Sequence, residues 1–506
     1  MVIPSVSPRR PLVWPEAIQA IRSAVLPAND IYIVGGAVRD AYLHRPLHDI
    51  DLAAPRDGRP IARRIADRLN GAYYPLDPQR GVGRALVQFA GEQLTVDVAQ
   101  FRDHDLNTDL LLRDFTVNAM AVHLTGDLQA VLDPLGGLDD LQNKLLRECS
   151  AESIKNDPIR ALRAVRTSAK YGLLIETSTR LHIRQYGPEL ANVSIERVRD
   201  ELFQILDADK PSAPIASLLH LGLLDQIFPE LPALRGVEQG PPHQYDVLRH
   251  TLTTLDHLST VLHILKPRYN DSLTGNMQFG LLSQALFPNK TPLAAHISRP
   301  WPNNRTHRSL LMFAALLHDS GKPYARSIDE DGRVHFHQHD QIGARLAAER
   351  AQALRLSNDE SQRVTTIVEH HMRPHWLYNT RQPLTARAIY RFWRDTGPAG
   401  VDICLLAMAD FLATYGPTLD VQSWIDYLEM IQRLLDSYFQ HHDIAIAPPP
   451  VLTGQDLIER FGLQPGPQIG MLLERVREAQ VEGTISTYEE ALEWVQRLLD
   501  AASQNN

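Results

Sequence analysis

Residues 31–53 read IYIVGGAVRDAYLHRPLHDIDLA. Ile31, Tyr32, Ile33 and Val34 form an apolar run rich in β-formers, which predicts a buried strand. Gly35 and Gly36 end that strand, and Ala37 to Leu43 is compatible with a helix. After a turn around Pro46 a second strand carries Asp49 and Asp51. Residues two apart on a strand share a face, so both carboxylates aim at one spot. Carboxylates held that closely repel each other unless a cation lies between them. Mg²⁺ suits them, because it takes hard oxygen ligands and keeps positions open for phosphate. The glycines let a phosphate approach the backbone, and the helix start offers free N–H groups to an anion. Taken singly, Gly-Gly is a common tight turn and an Asp pair a common solvated strand edge. The order of strand, glycines, helix and Asp-x-Asp strand is what carries the meaning.

The chain has 506 residues, too many for one core, so three or four domains are expected. Its 44% hydrophobic and 22% charged residues are ordinary for a globular protein. A formal charge of −9 and a pI near 6.2 argue against a chain that coats nucleic acid indiscriminately, yet leave room for a local basic groove. Two cysteines, Cys149 and Cys404, imply neither a disulfide framework nor a Cys-based zinc site and suit a reducing cytoplasm. The opening MVIPSVSPRRPLVWPEA lacks the apolar core of a signal peptide, and no run is long enough to span a bilayer. A cytoplasmic protein with no membrane partner is therefore expected; the oligomeric state is not legible.

Working outward, residues 60–70 (PIARRIADRLN) read as an amphipathic helix. ALVQFA and LTVDVAQF are strand-like, which makes the region a mixed α/β unit. Asp97, between Val96 and Val98, is either an outward-facing strand residue or a third acid beside Asp49 and Asp51. LLLRDFTVNAM (110–120) has the form of a capped helix start, with Asp114 or Thr116 as cap. In DPIRALRAVRTSAK (157–170), Asp157 and Pro158 make a good N-cap and first-turn pair. Arg160, Arg163 and Arg166 there share one helix face. SIERVRDELFQIL (194–206) is a second amphipathic helix opened by Ser194.

Many of the 21 histidines fall between His243 and His375. Residues 266–305, rich in Asn, Pro and Ser, read as an insertion or mobile loop. Residues 447–463 begin with a Pro-rich linker, and two helices follow around PQIGMLLERVREAQ and TYEEALEWVQRLL, joined by a turn at Gly483.

The phrase GGAVRD followed by DIDLA resembles the class II tRNA nucleotidyltransferases (CCA-adding enzymes) and the bacterial poly(A) polymerases that share their fold, within the superfamily that includes DNA polymerase β. The resemblance implies an α+β architecture in four parts: a polymerase-β-like head (1–147), a helical neck (148–236), an all-helical domain (237–446) and a helical tail (447–506). Asp49 and Asp51 would be catalytic and hold Mg²⁺. Gly35, Gly36, Arg39, Arg113, Asp114 and Asn118 would bind nucleotide. Asp157 and Arg160 would pair with the Watson–Crick edge of the incoming base, with Arg163 beside them. A carboxylate accepting from an amine and a guanidinium donating to a ring acceptor can read either C or A. Glu196 and Arg197 would prop that helix, with Arg199 a further candidate for phosphate contact.

Three departures from the family pattern stand out. Leu112 replaces the first of two arginines, Asn156 replaces a glutamate, and only DHDLNTDLLL separates Arg102 from Arg113. Within the resemblance, the short segment points to enzymes that add only the two C residues.

The histidine spacing resembles the HD metal-dependent phosphohydrolase domain. There His250, His318, Asp319 and Asp410 would hold one metal, and His339, His370 and His371 a second. Mixed imidazole and carboxylate ligands favour Mn, Fe, Ni or Zn. His243, His337 and His375 read as surface residues, and the tail would help hold the tRNA body. The implied partners are tRNA, CTP and ATP, and the implied activity is addition of C, A or both to the tRNA 3′ end. Poly(A) polymerisation, and phosphohydrolase or phosphodiesterase action on RNA 3′ ends or cyclic nucleotides, are the alternatives.

Overall fold

The apolar run before the glycine pair becomes an interior strand of an eight-stranded sheet. A computed structural model describes residues 3, 5–26, 30–266, 276–301 and 305–504. The strands are β1 (Ser5–Val6), β2 (Tyr32–Val34), β3 (Asp49–Ala54), β4 (Ala72–Asp77), β5 (Val82–Phe89), β6 (Glu92–Gln100), β7 (Ala121–His123) and β8 (Val131–Leu132). Their order across the sheet is β1-β8-β7-β2-β3-β6-β5-β4. β3 is antiparallel to β2 and parallel to β6, a register that sets Asp51 opposite Asp97. All other neighbours are antiparallel.

The expected amphipathic helix spans Arg59–Arg68 and buries Ala62, Ile65 and Ala66 against β4, β5 and β6. Gly83 permits the close approach: a Cβ there would lie 2.9 Å from the Arg59 Cα. β4 (AYYPLD) was not expected, because Pro75 breaks its run. It is an edge strand with a register shift between Pro75 and Asp77, where a missing N–H costs no ladder bond. The short segment before Arg113 holds a helix, Leu106–Leu111, capped by Asp105.

The chain divides into two compact units, residues 1–201 with 217–226, and residues 202–216 with 227–506. The boundary falls inside the segment expected as a neck. In the first unit the arginine-bearing helix spans Ile159–Tyr171 and stops at Gly172, whose φ of +65° is a left-handed cap. Asp157 does not cap it; its carboxylate accepts from Arg197 instead, 2.8 Å away.

The second unit is helical, apart from a small hairpin within 326–336. Its centre is the helix Ala399–Tyr415, buried at every position from Ala399 to Thr414. That explains an apolar run with no polar face: among the described residues this helix alone is long and apolar enough to cross a membrane, and its surface is spent on its neighbours. Phe411 stacks on Tyr427 with ring centroids 4.0 Å apart. Of the segment expected as an insertion or loop, residues 267–275 and 302–304 lie outside the described residues. The rest corrects that expectation, since it contains the helices Met277–Leu286 and Lys290–Ser298. Pro292 sits in the first turn of the latter, where a missing N–H is harmless.

The tail carries its own small core of Leu457, Leu472, Val476, Ile485 and Val495. Arg391 and Arg394 of the helix Ala386–Thr396 meet Glu478 and Glu474 of the tail at 2.6 and 2.7 Å.

Candidate active site and candidate metal centre

Asp49 and Asp51 stand on β3 with their side chains on the exposed face, while Ile50 and Leu52 point into the core. Loss of hydration raises the Asp51 pKa; Asp97 and Asp49 push it the same way, and Arg113 and Arg39 oppose them. Neighbouring acids of one sign facing each other are a fit for a divalent cation.

Asp51 lines a cleft of about 280 Å³. Gly35 and Gly36 line it too, together with seven cationic side chains: Arg39, Arg102, Arg113, Arg160, Arg163, Arg166 and Lys170. Gly35 has φ +71°, and a Cβ there would fall 2.8 Å from Arg113 Nη1, so only glycine leaves the backbone open beneath that guanidinium.

Each arginine is held by a carboxylate or carbonyl behind it. Asp109, 2% exposed, accepts Nε and Nη2 of Arg113 at 3.1 and 2.9 Å. Glu201, 6% exposed, accepts Arg163 Nε and Arg166 Nε, both at 2.7 Å. Arg39 donates to Asn118 Oδ1 and to the Tyr171 hydroxyl, and its guanidinium lies 4.0 Å from the Tyr171 ring centre. Burial opposes ionisation of Asp114, but Asn118 Nδ2 donating at 3.0 Å and the nearby Arg163 hold its carboxyl below the ordinary range. Arg160 donates to the Leu112 and Arg113 carbonyls at 2.9 and 3.1 Å.

The structure therefore brings together Gly35, Gly36, Arg39, Asp51, Arg113, Asp114, Asn118, Arg160 and Arg163. Asp49 stands two residues along from Asp51, and Asp157 lies outside the cleft lining, paired with Arg197. Sequence reasoning missed Arg102, Asp109, Lys170, Tyr171 and Glu201. Asp109 and Glu201 carry a local signal only as acids on amphipathic helices.

Asp97 is tied to Arg84 of β5: Nε and Nη2 reach its two oxygens at 2.7 and 2.8 Å.

The second unit holds a separate constellation. His250 Nε2 lies 2.8 Å from Asp410 Oδ1 and 3.5 Å from Asp319 Oδ2. His318 Nε2 lies 3.2 Å from Asp319 Oδ2, while His339 and His371 stand 3.5 and 3.7 Å from Oδ1. His318, His339 and His371 each set Nδ1 against a backbone carbonyl, of Ala315, Phe336 and Val368, at 2.7–2.8 Å. A carbonyl only accepts, so Nδ1 carries the proton and the Nε2 lone pair faces the centre. Those three Nε2 atoms and Asp319 Oδ1 are buried without hydrogen-bond partners. Unpaired buried acceptors converging on one carboxylate fit a metal; the groups His250, His318, Asp319 and Asp319, His339, His371 each lie within one coordination sphere. Burial opposes ionisation of Asp319, yet Lys322, donating Nζ to its Oδ2 at 2.7 Å, keeps the carboxyl well below the usual range.

His370 is not part of this centre; it turns to a shallow groove beside Asp340 and Trp376. Two histidines read as surface residues belong near it. His375 Nε2 lies 2.9 Å from Asp410 Oδ2. His243 meets the His250 ring edge-on at 5.3 Å, and burial pushes its imidazole down to about 3. His337 is exposed, as expected.

Three known families match segments of the chain. Residues 31–147 match the Poly A polymerase head domain, 172–234 the probable RNA and SrmB-binding site of polymerase A, and 289–393 the HD domain. The chain is 32% identical to the A-adding tRNA nucleotidyltransferase of Deinococcus radiodurans, over 92% of this chain and 94% of that one. It is 33% identical to the CC-adding tRNA nucleotidyltransferase of Thermus thermophilus, over 92% of each. Its fold resembles that of a CCA-adding enzyme solved in complex with ATP, with a TM-score of 0.61 at 20% identity over 96% of each chain.

Proposed function

The chain belongs to the tRNA nucleotidyltransferase family, and from that premise we propose that it adds C, A or both to the 3′ end of tRNA, drawing on CTP and ATP. The observation that carries this reading is the cleft in which Asp51 faces seven cationic side chains above a glycine pair. A triphosphate brings negative charge that those cations neutralise, and the glycines give it access to the backbone. The RNA 3′-hydroxyl oxygen would attack the α-phosphorus; the bond to the bridging oxygen breaks, pyrophosphate leaves, and the hydroxyl proton passes to water. Held by Asp49 and Asp51, Mg²⁺ would supply a lowered hydroxyl pKa and charge neutralisation at the phosphates. Arg113 and Arg39, fixed by Asp109, Asn118 and Tyr171, would orient the phosphates without reorganising. Arg160 and Asp157 would read the base, with Arg197 holding the carboxylate in place.

The short segment 103–112 supports addition of C residues alone. Incubating the protein with tRNA lacking its end and one labelled nucleotide at a time tests this. Two C residues and no A support the reading; A alone assigns A addition, long A tracts assign poly(A) polymerisation, and no product refutes nucleotidyl transfer.

The converging, unpartnered Nε2 atoms favour a second activity, a phosphohydrolase or phosphodiesterase on RNA 3′ ends or cyclic nucleotides. His250, His318, Asp319, His339, His371 and Asp410 would hold Mn, Fe, Ni or Zn there. Lys322, beside Asp319, would offer a cation to a phosphate.

A further inference from the structure

The register of the sheet sets four side chains in one row. Asp51 of β3 lies opposite Asp97 of β6, Asp97 opposite Arg84 of β5, and Arg84 opposite Tyr74 of β4. Residues opposite one another across strands share a face. That face is turned away from the helix Arg59–Arg68: Gly83 meets the helix, and Tyr73 receives Arg63 over its ring at 4.8 Å. Tyr74 and Arg84, one residue along, therefore look the other way. Tyr74 is 48% exposed. Arg84 spends Nε and Nη2 on Asp97 and, among the described residues, has no hydrogen bond at Nη1; its side chain is 38% exposed.

The nucleotide cleft is lined by Asp51 of β3, Gly35 after β2, Asn118 before β7 and Arg102 after β6, and by no residue within β4, β5 or β6. Phosphoryl transfer sets the attacking oxygen opposite the leaving pyrophosphate. The acceptor must then approach from the other side of β3, where β6, β5 and β4 lie.

We infer that this row is the seat of the RNA terminus: single-stranded 3′ nucleotides lie across β6, β5 and β4, with Arg84 Nη1 on a backbone phosphate and Tyr74 stacked on a base. Three inter-strand steps of ~4.8 Å put Tyr74 about 14 Å from Asp51, within reach of a short run of extended nucleotides. An exposed aromatic beside a cation is the combination that holds single strands irrespective of sequence. Asp97 acts as a positioning residue: it fixes the guanidinium through Nε and Nη2 and leaves Nη1 for the phosphate. The assignment rests on the reading of the cleft as a nucleotidyltransferase site.

Steady-state kinetics of the full chain on a tRNA transcript lacking its CCA end, varying transcript and nucleotide separately, tests it. Y74A should raise the KM for transcript roughly tenfold and leave the KM for nucleotide within about twofold, while Y74F restores the wild-type value. R84Q should raise the transcript KM and lower the salt slope of binding by about one. An active wild type with transcript KM unchanged in both Y74A and R84Q overturns the assignment, as does an equal rise in both KM values. A wild type that extends no RNA overturns the parent reading, and this one with it.

Discussion

The cleft beside β3 and the histidine centre solve opposite problems with similar residue types. The cleft is open and cationic: its arginines are held by acids behind them and face a space that a polyanion can enter. The histidine centre is closed: His318, Asp319 and His371 are at most 1% exposed, and their lone pairs converge on one another. Open sites recruit charge from solution, so they must be preorganised by second residues such as Asp109 and Glu201. Closed sites hold unpaired acceptors at a cost that only a bound cation removes.

That contrast can be broken experimentally. The largest expected effect is on metal content. H318A should strip the transition metal from the purified protein, read by elemental analysis after desalting, and leave nucleotide incorporation within about twofold, since His318 does not line the cleft. Metal retained in full would show that the centre is not the site.

Next in size is E201Q, which removes the charge that aligns Arg163 and Arg166. The KM for nucleotide should rise about tenfold with kcat little changed; an unmoved KM would mean that the two arginines hold their places without it.

The smallest effect concerns stability. His296, His307, Arg363 and Asp402 form a buried polar group in the second unit. Burial pushes His307 down to about 4 from 6.5. Burial opposes ionisation of Asp402, but Arg363 and His296 bring it down to about 2 from 3.8. Both folded values are depressed, so each contribution is complete above the unfolded pKa and is lost on acidification. The melting temperature of the second unit should begin to fall below about pH 6.5 and fall further below about pH 4. H307N should lessen the first of these declines, to which His243, pushed down to about 3 by burial, also contributes; a pH-independent midpoint would contradict the assignment.

The two sites also differ in how much of each was legible. The cleft is written in contiguous phrases: β2, the glycines and β3 follow one another, and Arg113, Asp114 and Asn118 fall within six residues. What escaped were the partners, because Glu201 finds Arg163 through packing of separate helices and Arg84 finds Asp97 through strand register. The histidine centre depends on separate helices, so its members were legible as types and spacings but not as directions. His370 and His371 are adjacent; a step of about 100° around a helix sends one outward and the other onto Asp319. His375 and His243 carry no local sign of burial. Pro75 and Pro292 obscured a strand and a helix because proline reads as a breaker, and its tolerance at a sheet edge or in a first turn depends on context that sequence does not display.

The central claim is that Asp49 and Asp51 serve a nucleotidyl transfer to an RNA end. The most direct measurement compares the wild type with the D49N/D51N double variant, using labelled CTP and ATP on tRNA lacking its CCA end, with tRNA binding measured in parallel. Incorporation should fall below about one-thousandth of wild type while tRNA binding and the metal of the second unit persist. Undiminished incorporation by the double variant would contradict the account.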